Sequence, residues 1–205
     1  MQAYLAGNRE HYRLAAGPRD ERPLQWVDID AEIWARTLAD CGYAGAADPV
    51  AMARVLFHER LQGFQPFGDA PELLKRLVGR YILGLVTNGQ ADMQRGTLGA
   101  LGLESYFPVV LISGELGVGK PSVEIFAEAA RRAGVALREA AHVGDSLVTD
   151  VAGANEAGMI AIWLNRGQQG LQPHDSEPDY TVASLREVAA LLSELASPVA
   201  LTKVQ

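Results

Sequence analysis

Residues 81–89 read Tyr-Ile-Leu-Gly-Leu-Val-Thr-Asn-Gly. A short apolar run that breaks abruptly into turn-forming polar residues predicts a buried strand, here Tyr81–Val86, carrying polar groups at its carboxyl end. Two later stretches share the form: Val109–Ile112 followed by Ser113-Gly114, and Ala141–Val143 followed by Gly144-Asp145-Ser146. Helical spacing fills the intervals. It predicts helices over Ala70–Gly79, over Ala91–Gly102 with its stop at Gly102, and over Pro121–Ala133, opened by a proline in the first turn. Further on come a helix over Val151–Ala157 closed by Gly158, strands at Ile160–Leu164 and Tyr180–Val182, and a helix over Ser184–Leu195 capped by Ser184. Strands that alternate with helices argue for a parallel sheet covered on both faces.

The expected fold from Phe67 onward is therefore α/β and Rossmann-like, with ligands bound at the carboxyl edge of the sheet. Residues 1–66 have a different texture. Met1–Leu14 mixes apolar and polar residues at helical spacing, Ile33, Trp34, Leu38 and Cys41 recur at three- and four-residue steps, and Val50–Leu61 repeats the pattern. Pro18, Pro23 and Pro49 punctuate the connections. The expected organisation is a small helical unit over 1–66 and an α/β unit over 67–205, with 196–205 a loose tail.

Composition narrows the function classes. The chain has 205 residues, 48% of them hydrophobic, and a net charge of -7. No basic cluster offsets that charge, so nucleic-acid and anionic-membrane partners are disfavoured. Cys41 is the single cysteine, which removes an intrachain disulfide framework and any multi-cysteine metal site. No apolar run approaches the roughly 18 residues that span a bilayer. The charged N-terminus does not read as a signal peptide, and a cytoplasmic protein is expected.

The polar residues at the strand ends could do chemistry together. Thr87 offers a hydroxyl, and the backbone N–H groups after it, including that of Asn88, suit phosphate oxygens. Lys120 supplies a compact positive charge. Asp145 and Asp150 are hard oxygen donors of the kind Mg²⁺ prefers. Gly114–Lys120 nearly spells a nucleotide-binding P-loop, but Pro121 stands where that motif needs a hydroxyl and a backbone N–H. His11, His58, His142 and His174 show no close pairing, which argues against a histidine-based transition-metal site. Trp26, Trp34 and Trp163 read as packing residues.

Leu85-Val86-Thr87-Asn88-Gly89, then Gly117-Val118-Gly119-Lys120-Pro121, then His142-Val143-Gly144-Asp145-Ser146 with Asp150 resemble motifs two, three and four of the haloacid dehalogenase-like hydrolase superfamily. Thr87 and Lys120 lie 33 residues apart and Lys120 and Asp145 lie 25 apart, in the family's order. The resemblance covers Phe67–Arg166 closely, and residues 1–66 more loosely resemble the family's helical cap. It implies a Mg²⁺-dependent phosphatase of a small phosphorylated metabolite, working through an aspartyl-phosphate. Thr87 and Asn88 would bind the phosphoryl group, Lys120 would neutralise its charge, Asp145 would ligate Mg²⁺, and Asp150 would support the metal or Lys120. Such roles are mainly electrostatic, as in most phosphoryl transfer.

One departure qualifies the expectation. The family's first motif is a buried strand ending in Asp-x-Asp, whose first carboxylate is the nucleophile and whose second is an acid and base. The single Asp-x-Asp here is Asp28-Ile29-Asp30, which lacks a preceding apolar strand. Asp30 reads as an N-cap and Asp28 as solvated. The missing strand would lie between those ending at Val86 and Val143, leaving them roughly 10 Å apart against a normal spacing of about 4.8 Å. The expectation is an N-terminally incomplete chain with little turnover as written. A non-catalytic binding protein and a 2-haloacid dehalogenase are the alternatives. Neither the substrate nor the oligomeric state is legible in the sequence.

Overall fold

A computed structural model describes residues 25–195; the expected helix near Met1–Leu14 and the tail at 196–205 lie outside them. In chain order the elements are α1 (Trp26–Asp40), α2 (Pro49–Gly63), α3 (Ala70–Leu77), β1 (Gly84–Thr87), α4 (Ala91–Ala100), β2 (Val109–Ile112) and α5 (Ser113–Leu116). There follow α6 (Val123–Ala133), β3 (Ala141–Gly144), a π-turn at Leu147–Val151, α7 (Ala152–Ala157), β4 (Ile160–Leu164), β5 (Tyr180–Val182) and α8 (Leu185–Leu195). Contacts divide the chain into two units. The first draws on Met1–Gln65, Asn88–Gly102 and Ile112–Gly117, and the second on Pro66–Thr87, Leu103–Leu111 and Val118–Gln205.

In the first unit α1 packs on α2, and α4 touches both. Asp92, near the start of α4, accepts hydrogen bonds from the backbone N–H of Trp26 at 2.8 Å and of Val27 at 3.4 Å. A carboxylate thus satisfies the orphan donors at the start of α1 and complements its dipole. The cap comes from 66 residues away, so Asp30 is not the N-cap expected of it. Asp30 lies inside α1, 1% exposed, and its Oδ2 accepts the Trp26 indole N–H at 2.8 Å. Asp28 is exposed in the first turn, as expected. At α2, Asp48 accepts from the Val50 N–H at 2.9 Å and Pro49 takes the first helical position.

The second unit is built on the parallel sheet β3-β4-β5. Ala141 pairs with Ile160 and Gly144 with Trp163, while Ile162 pairs with Tyr180. Leu73 and Leu77 of α3, Ile162, Val182, and Val188 of α8 form a buried cluster on one face. Each such side chain contributes about 1.5–3 kcal/mol when fully buried. With the period-two alternation of a strand, Ala161 and Trp163 turn to the opposite face, where α7 packs against β4 and α6 against α7. The sheet is covered on both sides, which is the expected α/β architecture.

Strand β1 pairs with β2 in a separate two-stranded sheet. Among the described residues β1 and β3 do not pair, and β3 has a strand neighbour on one edge only. The effect shows in burial. All four residues of β3 are only half-buried, whereas Ala161, Ile162 and Trp163 of β4, which has neighbours on both edges, are buried.

Several boundaries shift from expectation. The strand expected from Tyr81 begins at Gly84, because Gly79 takes a left-handed φ of 78° and the turn there leaves Tyr81 in an isolated bridge with Val78. Helix α6 starts at Val123, so Pro121 precedes the helix instead of opening it. The Ser184 hydroxyl donates to Glu187 Oε1 at 2.8 Å, a bridge across the first turn of α8. Gly158 does close α7 in the left-handed conformation, with φ 73°.

Candidate active site

The centre of the site is Asp150, a carboxylate 4% exposed. It is carried by the π-turn that follows β3, whose first residue Leu147 comes after Ser146. Ser146 Oγ accepts the Thr149 N–H at 3.2 Å and Ser146 O accepts the Asp150 N–H at 2.9 Å, so the chain folds back beneath the strand end. Gly144 makes room: a Cβ there would overlap the Asp150 carboxyl.

Three donors converge on that carboxylate. Lys120 Nζ lies 2.6 Å from Oδ1, His142 Nε2 lies 3.0 Å from the same oxygen, and the Ser146 N–H reaches Oδ2 at 3.0 Å. Burial pushes the Asp150 carboxyl up, but the His142 and Lys120 hydrogen bonds, the Lys120 charge and the Ser146 amide outweigh it. The group is held well below the usual carboxylate range and is ionised at neutral pH. His142 is fixed in turn by Phe126 of α6, whose ring stands edge-on at 5.0 Å and 87°.

Lys120 reaches this point from the loop before α6. That helix anchors through Ile125 and Phe126, both 0% exposed, and it packs against β1 and α7. Gly153 of α7 permits the approach, since a Cβ there would stand 2.5 Å from the Phe126 ring and 2.8 Å from the Pro121 carbonyl.

The other expected residues lie at the strand ends. Thr87 closes β1 and is half-buried, and Asn88 after it is exposed. Asp145 is exposed and lines an open groove of about 580 Å³ with Trp163, Gln169 and Gln172 among its walls. Its carbonyl accepts the Trp163 indole N–H at 3.0 Å. Of the two aspartates read from sequence as a pair, one is committed to Lys120 and the other presents its carboxylate to solvent. Among the described residues no three His, Cys, Asp or Glu side chains gather as a metal cluster.

Sequence reasoning missed His142. A histidine without a second one nearby carries no metal-site signal, although its place two residues before Gly144 puts it on the strand that carries the motif.

Comparison with known proteins gives the family. Residues 4–158 match the model of the haloacid dehalogenase-like hydrolases, and the chain belongs to that family. It is 41% identical over 159 residues to a glyceraldehyde 3-phosphate phosphatase of Methanopyrus kandleri, spanning 73% of this chain and 68% of the relative. It is 44% identical over 140 residues to a phosphoserine phosphatase of Thermus thermophilus, spanning 67% of this chain and 55% of the relative. Against most of these curated relatives the match spans only about half to two thirds of their length. Among solved structures, a 2-haloacid dehalogenase of Pseudomonas syringae pv. tomato superposes with a TM-score of 0.71 at 29% identity, covering 95% of this chain and 91% of the other. A phosphatase of the same family from Thermococcus onnurineus superposes with a TM-score of 0.60 at 25% identity, covering 90% and 91%.

Proposed function

We propose that this chain carries the phosphoryl-binding side of a phosphatase acting on a small phosphorylated metabolite. The observation that carries the reading is the buried Lys120–Asp150 pair, which fixes an ammonium beside the strand end bearing Asp145. A lysine so held neutralises an oxyanion without reorganising, which is where most phosphoryl-transfer catalysis comes from. Thr87 Oγ and the Asn88 N–H donate to the remaining phosphoryl oxygens. The curated relatives named above are phosphatases, and this favours phosphate esters over haloacids.

Mg²⁺ fits the donor set in one place. Asp145 offers a free-facing hard carboxylate, while both oxygens of Asp150 already accept hydrogen bonds. A single protein carboxylate supplemented by water and phosphate oxygens suits Mg²⁺, and its chemistry there would be to offset charge on the phosphoryl oxygens. Asp150 then serves Lys120 and not the metal. The nucleophilic carboxylate would belong on a strand beside β1 and β3, which do not pair with each other among the described residues. Residues 1–66 form the cap that selects the substrate, and the protein works in the cytoplasm.

The test is to join an apolar strand ending in Asp-x-Asp to the N-terminus and assay phosphate release from p-nitrophenyl phosphate with and without Mg²⁺. Metal-dependent turnover in the joined protein, lost in Lys120→Ala, is expected. Release of halide from 2-chloropropionate in its place would establish the dehalogenase reading. Tight phosphate binding without either turnover would establish the non-catalytic one.

A further inference from the structure

His142 lies outside every role given so far, yet it makes one of the three contacts on the central carboxylate. We infer that His142 is a positioning residue: its Nε2–H donates to Asp150 Oδ1 and holds that oxygen in line for Lys120. This deepens the phosphatase reading and rests on it for its functional meaning.

Four observations carry the inference. Asp150 is ionised and can only accept, so the nitrogen 3.0 Å from it must carry the proton. Lys120 Nζ meets the same oxygen at 2.6 Å, so one atom is shared by an ammonium and an imidazole. The His142 side chain is 12% exposed and the Phe126 ring stands against it edge-on, which limits its rotation. The Ser146 N–H fixes the other oxygen. A carboxylate has about four lone-pair sites. With the two side-chain donors on Oδ1 and the amide on Oδ2, the carboxyl has one orientation that satisfies all of them. Removing the imidazole leaves Asp150 pivoting on the Ser146 amide, and the lysine follows it.

The experiment uses the full chain and needs no substrate. Long-range ¹H–¹⁵N spectra of the imidazoles read the His142 tautomer directly. The rate of Lys120 reductive methylation, followed by mass spectrometry, reads how firmly the ammonium is held; exposed Lys75 is the internal standard. The Nε2–H form of His142 is expected, with His142→Phe raising Lys120 methylation about tenfold, the worth of one charge-assisted hydrogen bond. His142→Gln, which keeps a donor, is expected to stay near wild type, and Asp150→Ala gives the rate with the Asp150 contact removed.

An Nδ1–H tautomer overturns the inference, as does a folded His142→Phe whose Lys120 reacts at the wild-type rate. Should His142→Phe fail to fold, the wild-type tautomer decides. The phosphatase reading fails separately: if Lys120→Ala binds inorganic phosphate as wild type does, that reading is lost while the tautomer and methylation results stand.

Discussion

Lys120 Nζ sits 2.6 Å from Asp150 Oδ1, and the two side chains are only 13% and 6% exposed. Little water reaches either charge, so each depends on protein groups for its solvation. Breaking one side takes the ionic partner from the other. Asp150→Ala is expected to cost about 3–5 kcal/mol, because it removes the carboxylate that faces a buried ammonium. Lys120→Met with Asp150→Leu is expected to recover much of that loss, since neither charge then remains. Urea denaturation of the single and double variants gives the coupling energy. A double variant no more stable than Asp150→Ala would show that the pair is not what the fold relies on there.

Gly144 tests the same centre from the backbone side. A methyl group at this position overlaps the Asp150 carboxyl, so Gly144→Ala must push the π-turn away from β3. The expected loss is about 2–3 kcal/mol, at the upper end of overpacking costs. Gly158→Ala is the control. Nothing lies within 4 Å of its added Cβ, and its φ of 73° leaves only the strain of a left-handed residue, about 1–2 kcal/mol. Thermal melts of both should rank Gly144→Ala as the more damaging. The reverse order would mean that the turn can move freely.

Asp69 supplies the pH dependence. Its carboxylate accepts both Arg166 guanidinium N–H groups, at 3.1 and 2.8 Å, and the Leu185 N–H at 2.9 Å, tying the start of α3 to that of α8. The Arg166 hydrogen bonds hold its pKa below the ordinary 3.8, against a smaller effect of burial. A carboxylate lowered by folding stabilises the fold fully above its unfolded value, and that contribution drains away as pH falls through the folded value. Asp69→Asn is expected to cost about 1–2 kcal/mol at neutral pH. Denaturation of wild type and variant between pH 7 and pH 2 should show the gap close only below about pH 4. A constant gap would assign the effect to packing.

The open edge of β3 makes a kinetic prediction. In a parallel strand alternate residues bond to the left and right neighbours, and β3 has only β4 to bond to among the described residues. Every second amide of Ala141–Gly144 should exchange with solvent orders of magnitude faster than the amides of β4. Joining an Asp-x-Asp strand to the chain should protect those amides. Uniform protection in the chain as it stands would mean that the edge is already covered.

How far the sequence reaches is clearest at particular residues. Val109–Ile112, Ile160–Leu164 and Tyr180–Val182 form strands with the expected bounds, because strongly apolar, β-branched runs between turn residues leave few other choices. The pairing of Lys120 with Asp150 was legible only as one of two roles for the aspartate, since motif spacing says which residues meet but not which oxygen is taken. The cap on α1 was not legible. Asp30, near the start of the helical pattern, is the obvious candidate, yet Asp92 does the work from 66 residues away. Long-range capping leaves no local trace. Nor does the half-burial of β3, which depends on a neighbouring strand and not on its own residues.

Asp145 separates the metal from the fold. Because the side chain is exposed, Asp145→Asn should shift stability by no more than about 0.5 kcal/mol. Its carboxylate charge is nevertheless the one that Mg²⁺ would meet, while Asp150 stays bound to Lys120. Titration calorimetry with Mg²⁺ in the presence of inorganic phosphate should therefore show binding in wild type and a large loss in Asp145→Asn. In Lys120→Met the metal should still bind, with phosphate affinity lowered. If Asp150→Asn abolished Mg²⁺ binding while Asp145→Asn left it intact, the two aspartates would have exchanged roles. The buried ion pair would then be a resting arrangement that the metal opens.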